Sequence, residues 1–279
     1  MSLHIDTFRL AGVMGYPALH SRSPKIHTYW FEHYGLAGAY LPLELPPQRL
    51  EAALRALPAL GFSGCNLTIP HKVAAMAIVD EVEDTARRVG AINCVVVRPD
   101  GSLVGRNYDG FGFVQSLFEA APNFRPGDGP VLVLGAGGGA RAVIAGLQDA
   151  GAKRIMVANR TPAREAALAQ DLGVEQLAWE DRSAAVGEAA LVVNTTSLGM
   201  EGQPDLEIDL GRLSPGTLVA DIVYIPRETN LLVTAREKGC RTVNGLGMLL
   251  HQARPAFRDW FGVMPDATRE LRAIIEATM

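Results

Sequence analysis

The sequence predicts an α/β protein in which mostly parallel sheets are covered by helices. Three observations carry this reading. Short β-rich runs alternate with longer amphipathic segments. One apolar run, Val131–Leu134, leads directly into a glycine-rich turn and a helical segment. The 279 residues suit two domains at roughly 150 residues each.

The first strand is expected at Phe8–Met14. Ser23 is a good N-cap and Pro24 is favoured in a first helical turn, so a helix follows over Pro24–Tyr34. Tyr40–Leu45 reads as a strand, Arg49–Leu60 as a helix, Gly64–Thr68 as a strand and Lys72–Val79 as a helix. Ala91–Arg98 and Leu103–Arg106 form a hairpin-like pair around Pro99-Asp100-Gly101, residues suited to a turn. Asn123–Pro130, ending in Pro126-Gly127-Asp128-Gly129-Pro130, is a connection, and a new unit starts after it. That unit reads as strand Val131–Leu134, helix Ala140–Ala150, strand Arg154–Ala158, helix Pro162–Leu172, and strands Ala190–Asn194 and Thr217–Val223. Met248–Phe261 and Ala267–Ala277 are the last helices; in the second, Leu271, Ile274, Ile275 and Thr278 recur at helical spacing.

With 48% apolar and 20% charged residues, the composition excludes collagen, coiled coil and disorder. A net charge of −4 creates no field that would attract nucleic acid or an anionic membrane, and neither partner is expected. Cys65, Cys94 and Cys240 lie far apart without a CxxC pair, which suits neither a disulfide framework nor a zinc site. The six histidines form no HxxxH pattern, so no metal is expected. Asp6 and Arg9 interrupt any signal-peptide core, and no apolar run reaches the length of a membrane span. A cytoplasmic protein is expected.

Gly135-Ala136-Gly137-Gly138-Gly139-Ala140 gives the GxGxxA form of the dinucleotide fingerprint in its strand–turn–helix setting. Gly135 permits the tight turn, Gly137 lets the backbone approach a pyrophosphate, Ala140 allows close helix–sheet packing, and the N–H groups of the helix start face the anion. The following strand ends at Asn159-Arg160-Thr161, where a NAD-binding unit would place an acid on the ribose. None is there. Arg160, with Arg164 one turn on, suits a 2′-phosphate, which favours NADP; solvated strand-end arginines are the bland alternative.

In the first half, Ser21 and Ser23 flank Arg22 before a helix, where two hydroxyls could converge on a carboxylate; equally, Ser23 could simply cap the helix. Asn66-Leu67-Thr68-Ile69-Pro70-His71-Lys72 places a lysine in the first turn of a helix, against the macrodipole. A local rule broken without compensation marks a functional position, and Lys72 is the first candidate for proton transfer. Asn107-Tyr108-Asp109-Gly110, between the hairpin-like pair and the helix leading to the second unit, is explained by turn chemistry, yet a carboxylate near Lys72 would hold its ammonium and shuttle its proton. His71 reads as a loop residue.

These segments, with Gly90-Ala91-Ile92-Asn93, Asp221-Ile222-Val223-Tyr224 and Gly245-Leu246-Gly247-Met248-Leu249 plus Gln252, resemble the shikimate dehydrogenase family over nearly the whole chain. The resemblance implies an N-terminal α/β substrate domain with a mostly parallel sheet, a Rossmann-type NADP-binding domain and a cleft between them. The substrate-binding and catalytic domain would be discontinuous, residues 1–109 and 245–279, with residues 110–244 binding NADP. It further implies that Ser21, Ser23 and Tyr224 bind a substrate carboxylate, and that Asn66, Thr68, Asn93 and Gln252 bind ring hydroxyls. Lys72 and Asp109 resemble the catalytic pair, while Gly245 and Thr195-Thr196-Ser197 would line the nicotinamide side. The implied reaction is NADPH-dependent reduction of 3-dehydroshikimate to shikimate, by a monomer or homodimer. Tyr108 replaces the family's usual Thr, adding bulk beside Asp109, and Gly139 replaces a more usual Ala, which should loosen the turn slightly.

A quinate/shikimate dehydrogenase of broader specificity is the nearest alternative; Ser23, where quinate-accepting relatives often carry Thr, leans toward shikimate. A folate-dependent methylene dehydrogenase resembles the two-domain plan but places Tyr four residues before its lysine, where this chain has Thr68. A catalytically silent NADP-binding sensor is a different class. Retention of both Lys72 and Asp109 argues against it.

Overall fold

The computed structural model describes residues 8–279, so the first seven residues of the expected substrate domain lie outside the described residues. The chain divides into two compact units: one runs to Tyr108 and includes Ala253–Thr278, and the other is Asp109–Gln252 with Met279. These divisions fall one residue before the expected first boundary and eight residues after the expected second one. The second lies inside a continuous helix, a place that no linker composition marks.

The first unit runs β1 (Arg9–Gly15), α1 (Ser23–Tyr34), β2 (Gly38–Glu44), α2 (Leu50–Ala56), β3 (Phe62–Leu67), α3 (His71–Ala74), β4 (Glu81–Val82), α4 (Asp84–Val89), β5 (Cys94–Val97) and β6 (Leu103–Arg106). Its sheet has the order β2-β1-β3-β5-β6-β4. β1 pairs in parallel with β2 and β3, as does β4 with β6, whereas β5 runs antiparallel to β3 and β6.

The second unit opens with α5 (Asp109–Ala120), β7 (Val131–Leu134), α6 (Gly138–Asp149), β8 (Ile155–Ala158), α7 (Pro162–Leu172), β9 (Glu175–Leu177) and α8 (Arg182–Ala185). It continues with β10 (Leu191–Asn194), β11 (Leu218–Asp221), α9 (Asn230–Glu237) and β12 (Arg241–Val243). The sheet order is β12-β11-β10-β7-β8-β9, with every pair parallel. α10 (Gly245–Phe261) spans the second division, and α11 (Arg269–Glu276) ends the fold.

β7, β8, β10 and β11 are buried at every residue. That is the signature of a parallel sheet covered on both faces, and it explains why continuous apolar runs rather than alternating ones mark them in the sequence. Alternate residues of β7 feed opposite cores. Val131 and Val133 join Phe113, Leu117, Val143 and Leu147 from α5 and α6, while Leu132 and Leu134 join Leu231, Leu232 and Ala235 from α9.

In the first unit, α2 sends Leu50 and Leu54 into a core with Leu67, Ile92, Val95 and Leu103. A separate aromatic cluster gathers His27, Trp30, Phe31, Tyr40, Phe257, Trp260 and Phe261. Trp260 Nε1 donates to the Val95 carbonyl at 3.0 Å, tying the end of α10 to β5.

Several expected elements are corrected. α2 ends at Ala56 instead of Leu60, because Pro58 lacks the N–H that would continue it. The expected Lys72–Val79 helix is the four-residue α3 followed by a 3-10 turn over Ala75–Ala77, and the Lys72 carbonyl accepts the Ile92 N–H at 2.8 Å. So short a helix has little macrodipole for Lys72 to oppose. α10 starts at Gly245 rather than Met248, since two glycines in its first turn disguise the helix. The sequence reading misses β4, α4, β9, α8, α9 and β12, all of eight residues or fewer.

Gly64 lets β3, β5 and α10 close on one another. Its φ is +154°, and a Cβ there would lie 2.0 Å from the Val95 carbonyl oxygen and 2.2 Å from Trp260 Nε1. Gly64→Ala is expected to cost about 3 kcal/mol or more in urea unfolding, because backbone cannot yield as a flexible side chain can.

Candidate functional site

β7 delivers the chain to Gly135 at φ +110°, where a Cβ would approach Thr195 Oγ1 to 2.7 Å; only glycine makes this turn against the end of β10. Gly137 is the N-cap of α6, and no side chain caps that helix start or places an acid in its first turn. Gly137 and Gly138 are exposed, with no atom within 4 Å of the point where a side chain would begin. Open space in front of uncapped helix N–H groups fits a dinucleotide pyrophosphate. Ala136 borders the turn half-buried, and Ala140 is fully buried against the sheet. At Gly139 a Cβ would meet Ile222 Cδ1 at 2.9 Å, so the glycine also leaves room for the end of the Ile222 side chain.

After β8, the Asn159 amide N–H donates to Glu165 Oε2 at 3.1 Å and Asn159 Nδ2 to the Thr161 carbonyl at 3.0 Å. Glu165 is buried, so the acid nearest this strand end serves the backbone. Arg160, Thr161 and Arg164 remain exposed, a donor set suited to a phosphate.

The ends of β10 and β11 carry a buried polar array absent from the sequence reading. Asn194 and Asp221 are register partners. Asn194 Nδ2 donates to both Asp221 oxygens at 3.0 and 3.1 Å and to the Leu198 carbonyl at 3.0 Å. Asn194 Oδ1 accepts from the Thr196 amide at 3.0 Å and the Thr196 hydroxyl at 2.7 Å. Asp221 further accepts from the Val223 amide at 2.9 Å and the Thr229 hydroxyl at 2.8 Å. Thr195 Oγ1 donates to the Leu134 carbonyl, Ser197 is exposed, and Tyr224 is half-buried. Gly245 donates its N–H to the Val223 carbonyl at 2.9 Å.

Burial pushes the Asp221 carboxyl up to about 6, against the opposing hydrogen bonds from Val223, Asn194 and Thr229. Stability associated with the raised value is present below the unfolded carboxyl range and is lost as pH rises through about 6. The ionised group thus costs roughly 3 kcal/mol near neutrality. A clue was legible, namely an acid closing an apolar run.

Asp109 begins α5, in the same unit as Gln252. Gly112, one turn into α5, lies so close to α10 that a Cβ would sit 2.6 Å from Gln252 Cβ, which brings Gln252 beside the helix that Asp109 heads.

In the first unit, the expected cap is corrected: Ser23 is the first residue of α1, and the N-cap Arg22 makes no side-chain capping bond. Ser21 Oγ instead accepts the Ser23 N–H at 3.2 Å. Ser23 is hydrogen-bonded to Tyr40, whose hydroxyl donates to Asn66 Oδ1 at 2.6 Å. Asn66 Nδ2 donates to the Asn93 carbonyl at 3.0 Å, so both ends of the Asn66 amide are fixed. Tyr40 stacks on His27, centroids 3.9 Å apart and planes within 3°. Burial lowers His27 to about 3 and raises the Tyr40 phenol, leaving a neutral imidazole and a permanent O–H donor. Thr68 donates its N–H to the Met14 carbonyl and accepts the His71 N–H through its own. Buried His71 places Nε2 3.1 Å from the Leu45 carbonyl, and Lys72 follows half-buried. Among the described residues no group of His, Cys, Asp and Glu is arranged to hold a metal.

The bulk of Tyr108 is directed away from the turn. Its amide donates to Asn93 Oδ1 at 2.9 Å, and its hydroxyl donates to Asp259, which also pairs with Arg106. Arg106 additionally pairs with Glu83 at 2.8 Å. Burial and the neighbouring carboxylate raise the Tyr108 phenol well above its ordinary value, so it remains a donor. Tyr108→Phe leaves Asp259 short of a donor and is expected to cost about 1–3 kcal/mol in chemical denaturation.

Three family models match the chain: a shikimate dehydrogenase substrate binding domain over residues 13–95, a shikimate / quinate 5-dehydrogenase over 120–200, and a shikimate 5'-dehydrogenase C-terminal domain over 245–273. A shikimate dehydrogenase (NADP(+)) of Acidiphilium cryptum is 56% identical, with 97% of this chain and 97% of that protein covered. One of Paramagnetospirillum magneticum is 51% identical, covering 96% and 98%. The shikimate 5-dehydrogenase of Thermus thermophilus in complex with NADP(H) and shikimate superposes with a TM-score of 0.88 at 36% identity, over 97% of this chain and 100% of that one. A quinate dehydrogenase from Corynebacterium glutamicum in complex with NAD superposes at 0.87 and 33% identity, over 97% and 98%. A glycine turn open to an anion, a hydroxyl and amide cluster around Asn66, and likeness along nearly the full length agree: the chain belongs to the shikimate dehydrogenase family.

Proposed function

We propose that the chain is an NADP-dependent oxidoreductase that reversibly reduces 3-dehydroshikimate to shikimate by hydride transfer. The observation that carries this is near-full-length similarity to proteins named shikimate dehydrogenase (NADP(+)), together with two exposed arginines and no exposed acid where the ribose would lie. In this reading, residues 1–109 and 245–279 bind and transform the substrate, and residues 110–244 bind NADP. Operation in the cytoplasm as a monomer or homodimer belongs to the same reading. No helix among the described residues is long and apolar enough to cross a membrane.

Ala136, Gly137, Gly138, Gly139 and Ala140 would present backbone N–H groups to the pyrophosphate, while Gly135, whose own N–H donates to the Ala158 carbonyl at 2.8 Å, would shape the turn. Asn159, Arg160, Thr161 and Arg164 would hold the adenosine phosphate, and Thr195, Thr196, Ser197 and Gly245 the nicotinamide side. When bound, NADPH supplies the hydride. Ser21 and Tyr224 offer hydroxyl donors to the substrate carboxylate, which Ser23 joins by turning its O–H from Tyr40, while Asn66, Thr68, Asn93 and Gln252 orient the ring hydroxyls. As the ketone oxygen gains negative charge, the Lys72 ammonium stabilises it and donates the proton; the Asp109 carboxylate holds the ammonium and assists proton return.

Lys72→Ala is expected to reduce turnover about 10²–10⁴-fold while NADP affinity measured by titration stays near wild type. Wild-type turnover by Lys72→Ala would overturn the assigned chemistry. Arg160→Ala combined with Arg164→Ala is expected to raise the KM for NADP by about 10-fold or more without a matching rise for NAD, because charge-assisted bonds to the phosphate are lost. Assays with shikimate beside quinate test the substrate, and comparable quinate turnover would move the assignment to the broader relatives.

A further inference from the structure

We infer that Asp221 is a positioning residue that holds the Thr196–Leu198 turn and the Val223–Tyr224 turn in their cofactor- and substrate-binding arrangement. The inference rests on the proposed function for the identity of those ligands and on the hydrogen-bond geometry for the rest.

The two turns follow adjacent parallel strands, β10 and β11, whose last residues are the register pair Asn194 and Asp221. Asn194 ties down the first turn: it accepts from the Thr196 N–H and hydroxyl, and donates to the Leu198 carbonyl. Thr196 Oγ1 in turn accepts the Leu198 N–H at 3.1 Å. An asparagine amide can flip, and flipping would put its NH₂ against two donors. Asp221 removes that freedom, because both of its oxygens accept from Asn194 Nδ2. The same carboxylate takes the Val223 N–H, one residue before Tyr224, and the Thr229 hydroxyl at the N-cap of α9.

An all-acceptor group is needed here. An amide would fit the space but present a donor toward Asn194, Val223 or Thr229. Asp221 is 1% exposed, and its hydrogen-bond partners Asn194, the Val223 amide and Thr229 are all uncharged. The chain keeps a carboxylate that burial disfavours, as expected where order in the flanking turns matters more than stability.

The test is hydrogen exchange of the ligand-free protein joined to NADP titration, on wild type, Asp221→Asn and Thr229→Val. Asp221→Asn is expected to speed exchange at the Thr196, Leu198 and Val223 amides about 10-fold or more, leave the β1–β3 amides unchanged, and raise the NADP Kd about 10-fold. If Asp221→Asn does not fold, Thr229→Val decides, since it keeps the carboxylate and removes one donor. Its exchange should quicken at the same amides, and the fall in NADP affinity on acidification should start at higher pH than in wild type, because the carboxylate has lost a stabilising hydrogen bond. The cofactor's own phosphate titrates near 6, so only the displacement between the two proteins reports on Asp221. Unchanged exchange at those amides in the folded variants, or faster exchange with wild-type NADP affinity and an unmoved pH profile, would overturn the inference. Wild-type turnover of shikimate with NADP tests the underlying function separately.

Discussion

Strands buried on both faces leave no room for polar side chains except at their ends. In the second unit this constraint governs everything else. β7, β8, β10 and β11 are apolar until the residue where each meets its turn, and there the chain spends Gly135, Asn159, Asn194 and Asp221. Parallel pairing places all these carboxyl ends along one edge of the sheet, so groups scattered over nearly ninety positions of sequence become neighbours. Buried backbone and side-chain groups at that edge must be satisfied from within, and the satisfaction itself shapes the turns.

The first unit meets the same demand differently. Its sheet is mixed, and β5 returns antiparallel beside β3, which places Asn66 opposite Cys94 and lets its amide reach the neighbouring Asn93 carbonyl. Tyr40, held by the neutral His27, closes the other end of that amide. Asn93 then continues the chain of contacts to the Tyr108 amide, and Tyr108 reaches Asp259 on α10. One connected set of hydrogen bonds therefore runs from the Ser23 hydroxyl to α10. Apolar packing of Phe257, Trp260 and Phe261 supports it from behind.

Much was legible in the residues alone. Continuous Val and Leu runs named the buried parallel strands, and Gly135 through Ala140 named the turn that faces an anion, because those features are local and short-range physics fixes them. Ser21, Lys72 and Asp109 stand out as candidates by residue type and position, and Asn66 through the family resemblance. Short elements such as β4, β9 and α8 could not, since their stability comes from neighbours rather than from their own propensity.

The sequence by itself determined the fold class, the succession of the main strands along the chain and the family. Tertiary structure alone decided which polar residues share a hydrogen-bond network. Nothing in Leu218–Asp221 indicates that its acid would face Asn194 and Thr229, and nothing in the stretch around Tyr40 indicates that its hydroxyl would reach Asn66. Such partnerships depend on register between strands far apart in the chain, and register is set by the whole packed sheet rather than by any one segment.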